Sequence, residues 1–326
     1  MGHLQRVRPA NTGGRHMTAR IAIISNPTSR INRQRPNLAK ELAEMAGERA
    51  VLFETPDLDA VEETARICLE RGIEVLALNG GDGTNHHTLS RFVKIYQDAP
   101  LPLIYLLRGG TMNSVADSLG VTRGRPKKLM DALVKWCDGG LQLPIVERNL
   151  MVIGENYGFL FCNGLSARFL RLYYEGGNAS PIKAALMIVR IVASTLMRGA
   201  FARRIWGTPG YRVRIDGVEY DGPSWTATFL GTVREIGFGF MPWPEVSERE
   251  GELGLIAMPK SSGKLLWRLP SIRLGRFRGN AEIPIYYGKE IEIEGPDDGY
   301  YLDGDFHPAS RMVTIKAGPR IKILVG

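Results

Sequence analysis

The stretch Val75-Leu76-Ala77-Leu78-Asn79-Gly80-Gly81-Asp82-Gly83-Thr84 decides the fold. Its first half is an aliphatic run of the kind that forms a strand buried on both faces. The run stops at Gly80, Gly81 and Gly83, grouped around the single carboxylate of Asp82. A helical pattern follows over Leu89 to Tyr96. Strand, glycine turn and helix in that order is the usual layout of a phosphate site in an α/β sheet. Glycines let the backbone come close to a polyphosphate, and a helix start offers N–H groups that lack helical partners. Asp82 repels phosphate, so a carboxylate there makes sense as a magnesium ligand, direct or through water. A plain tight turn before a helix is the alternative, and a glycine pair alone does not separate the two.

The surrounding chain repeats the pattern. Ile21 to Ser25 reads as a buried strand ending in a turn at Asn26-Pro27, followed by a helix over Leu38 to Met45. A second strand, Ala50 to Thr55, precedes a helix from Asp57 to Arg71, with Val61, Ala65 and Cys68 at helical spacing and Gly72 after it. Leu101 to Leu107 is a further strand closing at Arg108-Gly109-Gly110-Thr111, and Asn113 to Leu119 a short helix ending at Gly120. The alternation predicts an α/β domain with an open, mostly parallel sheet over residues 17–139. Ligands of such sheets sit at the C-terminal strand ends. Asn26, Thr55, Gly80 and Gly110 all fall there, so four turns on one edge point to a site where one turn would not.

Past Gly139 the pattern changes to short alternating segments separated by turns such as Asp216-Gly217 and Asp303-Gly304. Residues 140–326 therefore read as a β-rich sandwich with one inserted helix, Pro181 to Met197, more in keeping with a core or lid helix than an anchor. The last strand, Ile321 to Val325, is free to pair with either domain, and residues 1–16 read as a disordered extension ahead of Met17.

Composition bounds the partners. The net charge of +8 favours an anionic one: nucleotide, nucleic acid or an acidic membrane surface. Lys264 to Arg268, with Arg273, Arg276, Phe277 and Arg278, interleaves basic and aromatic residues in a way that suits acidic lipid or a solvated surface. Nucleic acid is the competing reading, but no RNP-like or helix-turn-helix motif supports it. Cys68, Cys137 and Cys162 are scattered without metal-ligand spacing, which fits a reducing, cytoplasmic setting. The basic N-terminal stretch lacks the apolar segment of a signal peptide. The apolar run Ala184 to Leu196 is interrupted by Arg190 and too short to span a bilayer. The adjacent His86 and His87 point in different directions from a helix start, which favours polar capping over a metal pair.

Asn26-Pro27, Gly80-Gly81-Asp82-Gly83-Thr84, Gly110-Thr111-Met112-Asn113 and Asp303-Gly304-Asp305 occur in that order. The series resembles the diacylglycerol kinase catalytic family, which includes sphingosine kinases and bacterial lipid kinases, from about Met17 to the C-terminus. Asn163-Gly164-Leu165-Ser166-Ala167 and Gly237 to Pro242 look like the family's sandwich segments. The resemblance implies a two-domain lipid kinase that moves the γ-phosphate of ATP to a lipid hydroxyl, with magnesium, at the membrane periphery. It implies that Gly80, Gly81, Gly83 and Thr84 cradle phosphate, that Asn26, Thr55, Gly110, Thr111 and Asn113 touch the nucleotide, and that Asp82 binds magnesium. By the same resemblance Asp305 is the general base, and Glu250, in Glu250-Gly251, is the nearest match to the family's structural metal site.

Some positions depart from the family pattern. Asp305 stands where glutamate is usual, His87 where a glutamate commonly follows the glycine turn, and Ser114 where an aspartate does. Arg30 replaces a glycine and Arg108 a proline. Two acids lost and two arginines gained suggest a phosphate site that leans on arginine more than on metal. Two rival readings stay open: a kinase of a soluble acceptor such as NAD, which shares the glycine turn, and a catalytically decayed nucleotide- or lipid-binding protein. A homodimer is compatible with the sequence.

Overall fold

The computed structural model describes residues 20–326 except 111–112, 175–180, 198, 202–204, 206–209, 221–224, 237–238, 259–261, 297–298 and 309–310. The extension expected over residues 1–16 lies outside the described residues. The chain divides into two compact units. The first takes the chain up to Arg148 with Glu155–Tyr157 and Arg320–Gly326; the second takes Asn149–Gly154 and Gly158–Pro319.

The first unit is built on parallel strands in the order β2 (Ala50–Glu54), β1 (Ile21–Ser25), β3 (Val75–Asn79) and β4 (Leu103–Leu106). Every residue of β1 and β3 is buried, as aliphatic runs covered on both faces require. Successive side chains point to opposite faces. Ile21, Ile23, Val75, Ala77 and Tyr105 pack in one core with Leu38 and Leu42 of α2 (Leu38–Ala46) and with Leu129, Leu133 and Trp136 of α6 (Pro126–Cys137). Two further helices, α3 (Leu58–Glu70) and α4 (Asp82–Tyr96), contact each other and carry the buried Val61, Ala65, Leu89 and Phe92. Between these elements lie α1 (Arg30–Gln34) and α5 (Ser114–Ser118).

The expected helix over Leu89–Tyr96 is longer than its apolar pattern. It starts at Asp82, so Gly83 and Thr84 belong to its first turn rather than to a loop. Polar residues hide this from a periodicity argument. Asn85, His86, Thr88 and Ser90 are all buried. His86 Nδ1 and Ser90 Oγ both reach the carbonyl oxygen of Tyr157, at 2.8 and 3.2 Å. The Tyr157 N–H returns a hydrogen bond of 3.0 Å to Ser90 Oγ. His86 therefore latches a chain segment to α4. A carbonyl only accepts, which places the ring proton on Nδ1.

The second unit holds an antiparallel six-stranded sheet in the order β12 (Ile285–Gly288), β11 (Leu253–Met258), β10 (Ala227–Gly231), β7 (Leu160–Asn163), β14 (Tyr300–Leu302) and β15 (Asp305–His307). A separate set pairs β13 (Glu290–Glu294) with β8 (Arg212–Ile215) on one side and with Met312–Lys316 of β16 (Met312–Leu324) on the other. Phe161, Leu230, Leu255 and Leu302 from the first set share one core with Val213, Ile291, Ile293 and Ile315 from the second, which is the sandwich. The far end of β16 belongs to the first unit, where Ile323 and Leu324 pair in parallel with β4.

Helices are more numerous here than the alternation suggests. Besides α8 (Pro181–Leu196) the unit contains α7 (Leu165–Tyr174) and α9 (Ser262–Arg273). Leu165 to Ala167, part of a stretch that resembles a sandwich segment, opens α7, and residues 264–273 are helical despite Pro270. Leu265 and Ile272 of α9 pack with Trp243, Ile256 and Met258, so the sheet's tertiary contacts override the proline.

Asp303 and Gly304 form the two-residue turn between β14 and β15, with φ of 49° and 93°. Positive φ at both positions matches the right-handed strand twist, and glycine meets it without strain. The Asp303 carboxylate is buried and accepts from Phe159 N at 3.1 Å and from Leu160 N at 2.8 Å. Removing it leaves two enclosed N–H donors unmet. Asp303→Ala is expected to lower stability by about 2–4 kcal/mol, read as a drop in the urea midpoint at unchanged m-value.

Candidate active site

The strands of the first unit end flush. Ser25 pairs with both Glu54 and Asn79, and Leu78 with Leu106, so the chain leaves β1, β2, β3 and β4 along one edge. This edge carries Asn26, Thr55, Gly80, Gly81, Gly110 and Asn113, and α4 opens there with Asp82, Gly83 and Thr84. The sequence pattern puts Asn26, Thr55, Gly80 and Gly110 at strand ends, and the structure joins several residues of this edge directly. Thr111 lies outside the described residues.

Asn26 sits between two loops. Its Oδ1 accepts from the Thr28 N–H at 2.8 Å and the Thr28 hydroxyl at 2.7 Å, and its Nδ2 donates to Thr84 Oγ1 at 3.3 Å. Thr55 is buried and donates its N–H to Ser25 O at 2.9 Å. Asn113, in the left-handed region at φ 50°, closes the loop after β4. Its Oδ1 accepts from Gly110 N at 3.0 Å, and its Nδ2 donates to Gly110 O at 3.1 Å.

The glycines are needed for loop-on-loop packing as well as for any ligand. A Cβ on Gly110 would meet Gly81 Cα at 2.4 Å, and one on Gly81 would meet Gly110 Cα at 3.0 Å. A Cβ on Gly109 would lie 2.9 Å from Asn79 Oδ1 and from Gly80 N. The loops after β3 and β4 thus touch backbone to backbone.

A buried amide network beneath the edge has no sequence signature. Asn79 Nδ2 donates to Ser25 Oγ and to Asn32 Oδ1, both at 3.0 Å. Asn32 Nδ2 donates to Asn26 O at 2.7 Å and Asn79 O at 3.1 Å. Ends of two strands and the start of α1 are tied by these bonds. Only Asn79 gave a hint, as a polar residue closing an aliphatic run; nothing in the local pattern singles out Asn32.

Asp82 sits at the first turn of α4, where a helix dipole stabilises negative charge. Its two oxygens accept from Ser114 N at 2.9 Å and Val115 N at 3.2 Å, capping α5 from across the edge. Desolvation nevertheless dominates and pushes its pKa up to about 6, with the neighbouring Asp117 adding to the rise. The two backbone donors and Arg108 oppose it. A desolvated carboxylate with accepting capacity left on both oxygens is chemically suited to hold a hard cation such as magnesium.

Arg108 does not stand in for that cation. Its side chain is nearly buried, with Nη2 at 2.6 Å from Asp117 Oδ1 and Nη1 at 3.3 Å from Val121 O. This corrects the expectation of an arginine-led phosphate site as far as Arg108 is concerned: the guanidinium holds the β4–α5 connection. Arg108→Ala is expected to lower stability by about 2–3 kcal/mol, below a fully buried pair because Arg123 also reaches Asp117, at 3.3 Å. The same variant should raise the Asp82 pKa, since a cation that lowers it is gone. Thermal unfolding and titration of the Asp82 carboxyl read the two effects.

Asp305 and Glu250 belong to the second unit. Asp305 is half-buried and opens β15, opposite Leu302. Glu250 is exposed in the turn before β11, and the neighbouring Gly251 N–H donates to Asn149 Oδ1 at 3.1 Å. Among the described residues no group of three potential metal ligands includes Glu250.

Residues 20–139 match the family model of the diacylglycerol kinase catalytic domain. The chain is 25% identical over 241 residues to a diacylglycerol kinase of Mycobacterium tuberculosis, covering 72% of each protein; the match is the same for strains CDC 1551 / Oshkosh and H37Rv. The crystal structure of a diacylglycerol kinase from Bacillus anthracis superposes with a TM-score of 0.67 at 13% identity, covering 96% of this chain and 99% of that one. A second crystal structure from that organism gives 0.68 at 14%. At such identity the structural likeness speaks for the fold, a mixed α/β chain with a parallel-dominated sheet and a separate antiparallel one.

Proposed function

We propose, from the match of residues 20–139 to the diacylglycerol kinase catalytic-domain model, that the protein is an ATP-dependent lipid kinase acting on a lipid hydroxyl, diacylglycerol-like or sphingoid. The single observation that carries the reading is the flush strand edge, where Asn26 bonds Thr84, Gly81 packs on Gly110 and Asp82 caps α5. Phosphoryl transfer needs little covalent help; it needs positioning and neutralisation of charge. The N–H groups at the start of α4 and the closely packed glycine loops supply fixed donors for phosphate. Asn26 and Thr84, bonded to each other, would hold the nucleotide side of the edge, with Thr55 behind them.

Asp82 would hold magnesium, which when bound offsets phosphate charge. Asp305 is the proposed base for the attacking hydroxyl, on the strength of its place in the Asp303-Gly304-Asp305 motif and its half-buried position at the head of β15. A carboxylate there would take the hydroxyl proton as the oxygen attacks the γ-phosphorus and ADP leaves. We place the enzyme in the cytoplasm at the membrane periphery. No helix among the described residues is long and apolar enough to cross a membrane.

The test is ATP consumption with magnesium over diacylglycerol, monoacylglycerol, sphingosine, ceramide and phosphatidylglycerol in mixed micelles, with NAD as a soluble acceptor. A phosphorylated lipid, lost in Asp305→Ala, is the expected outcome. Phosphorylation of NAD alone replaces the lipid acceptor by a soluble one. Nucleotide binding without turnover on any acceptor indicates a decayed site.

A further inference from the structure

In a water-soluble fold a surface helix turns its apolar stripe inward. The second unit's α8 turns one outward. Ile182, Leu186, Val189 and Met197 are 74%, 64%, 64% and 76% exposed. Ala193 is exposed too. At about 100° per residue these positions fall within one face roughly a quarter-turn wide. The face is apolar, with the exposed Arg190 at its edge, its guanidinium 4.2 Å from the centre of the Phe201 ring. Lys183 donates to Tyr173 O at 2.6 Å, which ties α8 to α7.

Its neighbour α9 does the same. The two helices are in contact. Trp267 is 83% and Leu274 59% exposed, with Pro270 exposed between them at helical spacing. Arg268 and Arg276 are exposed beside them. A tryptophan left almost fully in water is unusual for a residue that buries a large apolar area when it has a partner.

Charge decides what that partner is. From Glu175 to Asp216 the intervening sequence has no acid and contains Lys183, Arg190, Arg198, Arg203, Arg204, Arg212 and Arg214. From Glu252 to Glu282 it again has none and contains Lys260, Lys264, Arg268, Arg273, Arg276 and Arg278. These two stretches hold more positive charge than the whole-chain net of +8, so the rest of the chain is net acidic. Apolar residues with tryptophan, set among arginines, fit the boundary between acyl chains and anionic headgroups. The 16 residues of α8 span about 24 Å, short of a hydrocarbon core of roughly 30 Å, so the helix lies in the interface rather than crossing it.

We propose that the outer faces of α8 and α9 form an interfacial docking surface for an anionic lipid bilayer, entered by Ile182, Leu186, Val189, Met197 and Trp267. Docking needs no nucleotide and no turnover, so it stands or falls separately from the kinase reading. The experiment is co-sedimentation of the full chain with vesicles of phosphatidylcholine alone or with added phosphatidylglycerol, without nucleotide. Wild type is expected to prefer the anionic vesicles, with binding weakened by salt. Leu186→Gln/Val189→Gln and, separately, Trp267→Ala are each expected to bind about tenfold weaker. All three side chains are exposed, so the thermal midpoint should hold. The proposal is overturned if wild type ignores anionic vesicles, or if both variants bind like wild type. It is also overturned if Leu186→Gln/Val189→Gln splits a dimer in sedimentation equilibrium while vesicle binding persists, because a second copy of the chain then covers the face.

Discussion

Asp82→Asn is expected to cut turnover by about 10²–10³-fold, the range for removing one well-placed electrostatic group. The substitution keeps the size of the side chain and removes the negative charge that would hold magnesium. Its amide oxygen still accepts from Ser114 N, but the amide nitrogen then faces Val115 N, donor to donor. That conflict costs about 1–3 kcal/mol. Loss of a desolvated charge works the other way, and pH separates the two. Burial lifts the folded-state pKa of Asp82 to about 6 from an ordinary value of 3.8. Between those values the folded chain binds more protons at this site than the unfolded chain. The contribution of Asp82 to stability is therefore fully present below about pH 4 and is lost as pH rises through about 6. Thermal midpoints of wild type and Asp82→Asn, compared from pH 7 to pH 4, should show wild type gaining on the variant as pH falls. A constant difference would mean that Asp82 titrates as an ordinary exposed carboxylate. Magnesium binding should also release protons near pH 6 in wild type and not in the variant.

Gly110→Ala is the second large expected effect. The added Cβ meets Gly81 Cα at 2.4 Å and Asn113 Oδ1 at 2.9 Å. Backbone on backbone has no rotamer to yield, so the two loops must part. Overpacking of this kind costs about 1–3 kcal/mol. The functional loss should be larger, about 10²-fold in kcat/KM for ATP, because an ångström of misplacement at a phosphate loop is enough to spoil alignment. Gly124→Ala is the control, since its Cβ finds Leu129 at an ordinary 3.5 Å. Comparable activity in the two variants would show that the loop contact does not position anything.

How much of this was legible in the sequence follows from which forces act locally. β1 and β3 were readable because they are buried on both faces and therefore aliphatic throughout. The turn at Asp303-Gly304 was readable because positive φ at both positions demands such residues. The start of α4 was not. Asn85, His86 and Thr88 are buried polar residues, and His86 and Ser90 find their partner in Tyr157, far along the chain. α9 was hidden by Pro270 and by basic residues, and its helix is held by contacts with Trp243 and the sheet. The glycines were visible, but half their meaning was not: Gly81 and Gly110 face each other only once β3 and β4 are side by side. Arg108 looked like a phosphate ligand because its pairing with Asp117, nine residues on in α5, has no local signature.

The flush strand edge of the first unit is expected to bind a magnesium nucleotide. Calorimetric titration of ATP into the full chain, with and without magnesium and with no lipid present, tests it independently of the acceptor. The expected result is saturable binding that strengthens with magnesium in wild type and loses that magnesium dependence in Asp82→Ala. Absence of ATP binding at millimolar nucleotide, or binding that is indifferent to both magnesium and Asp82, would contradict it.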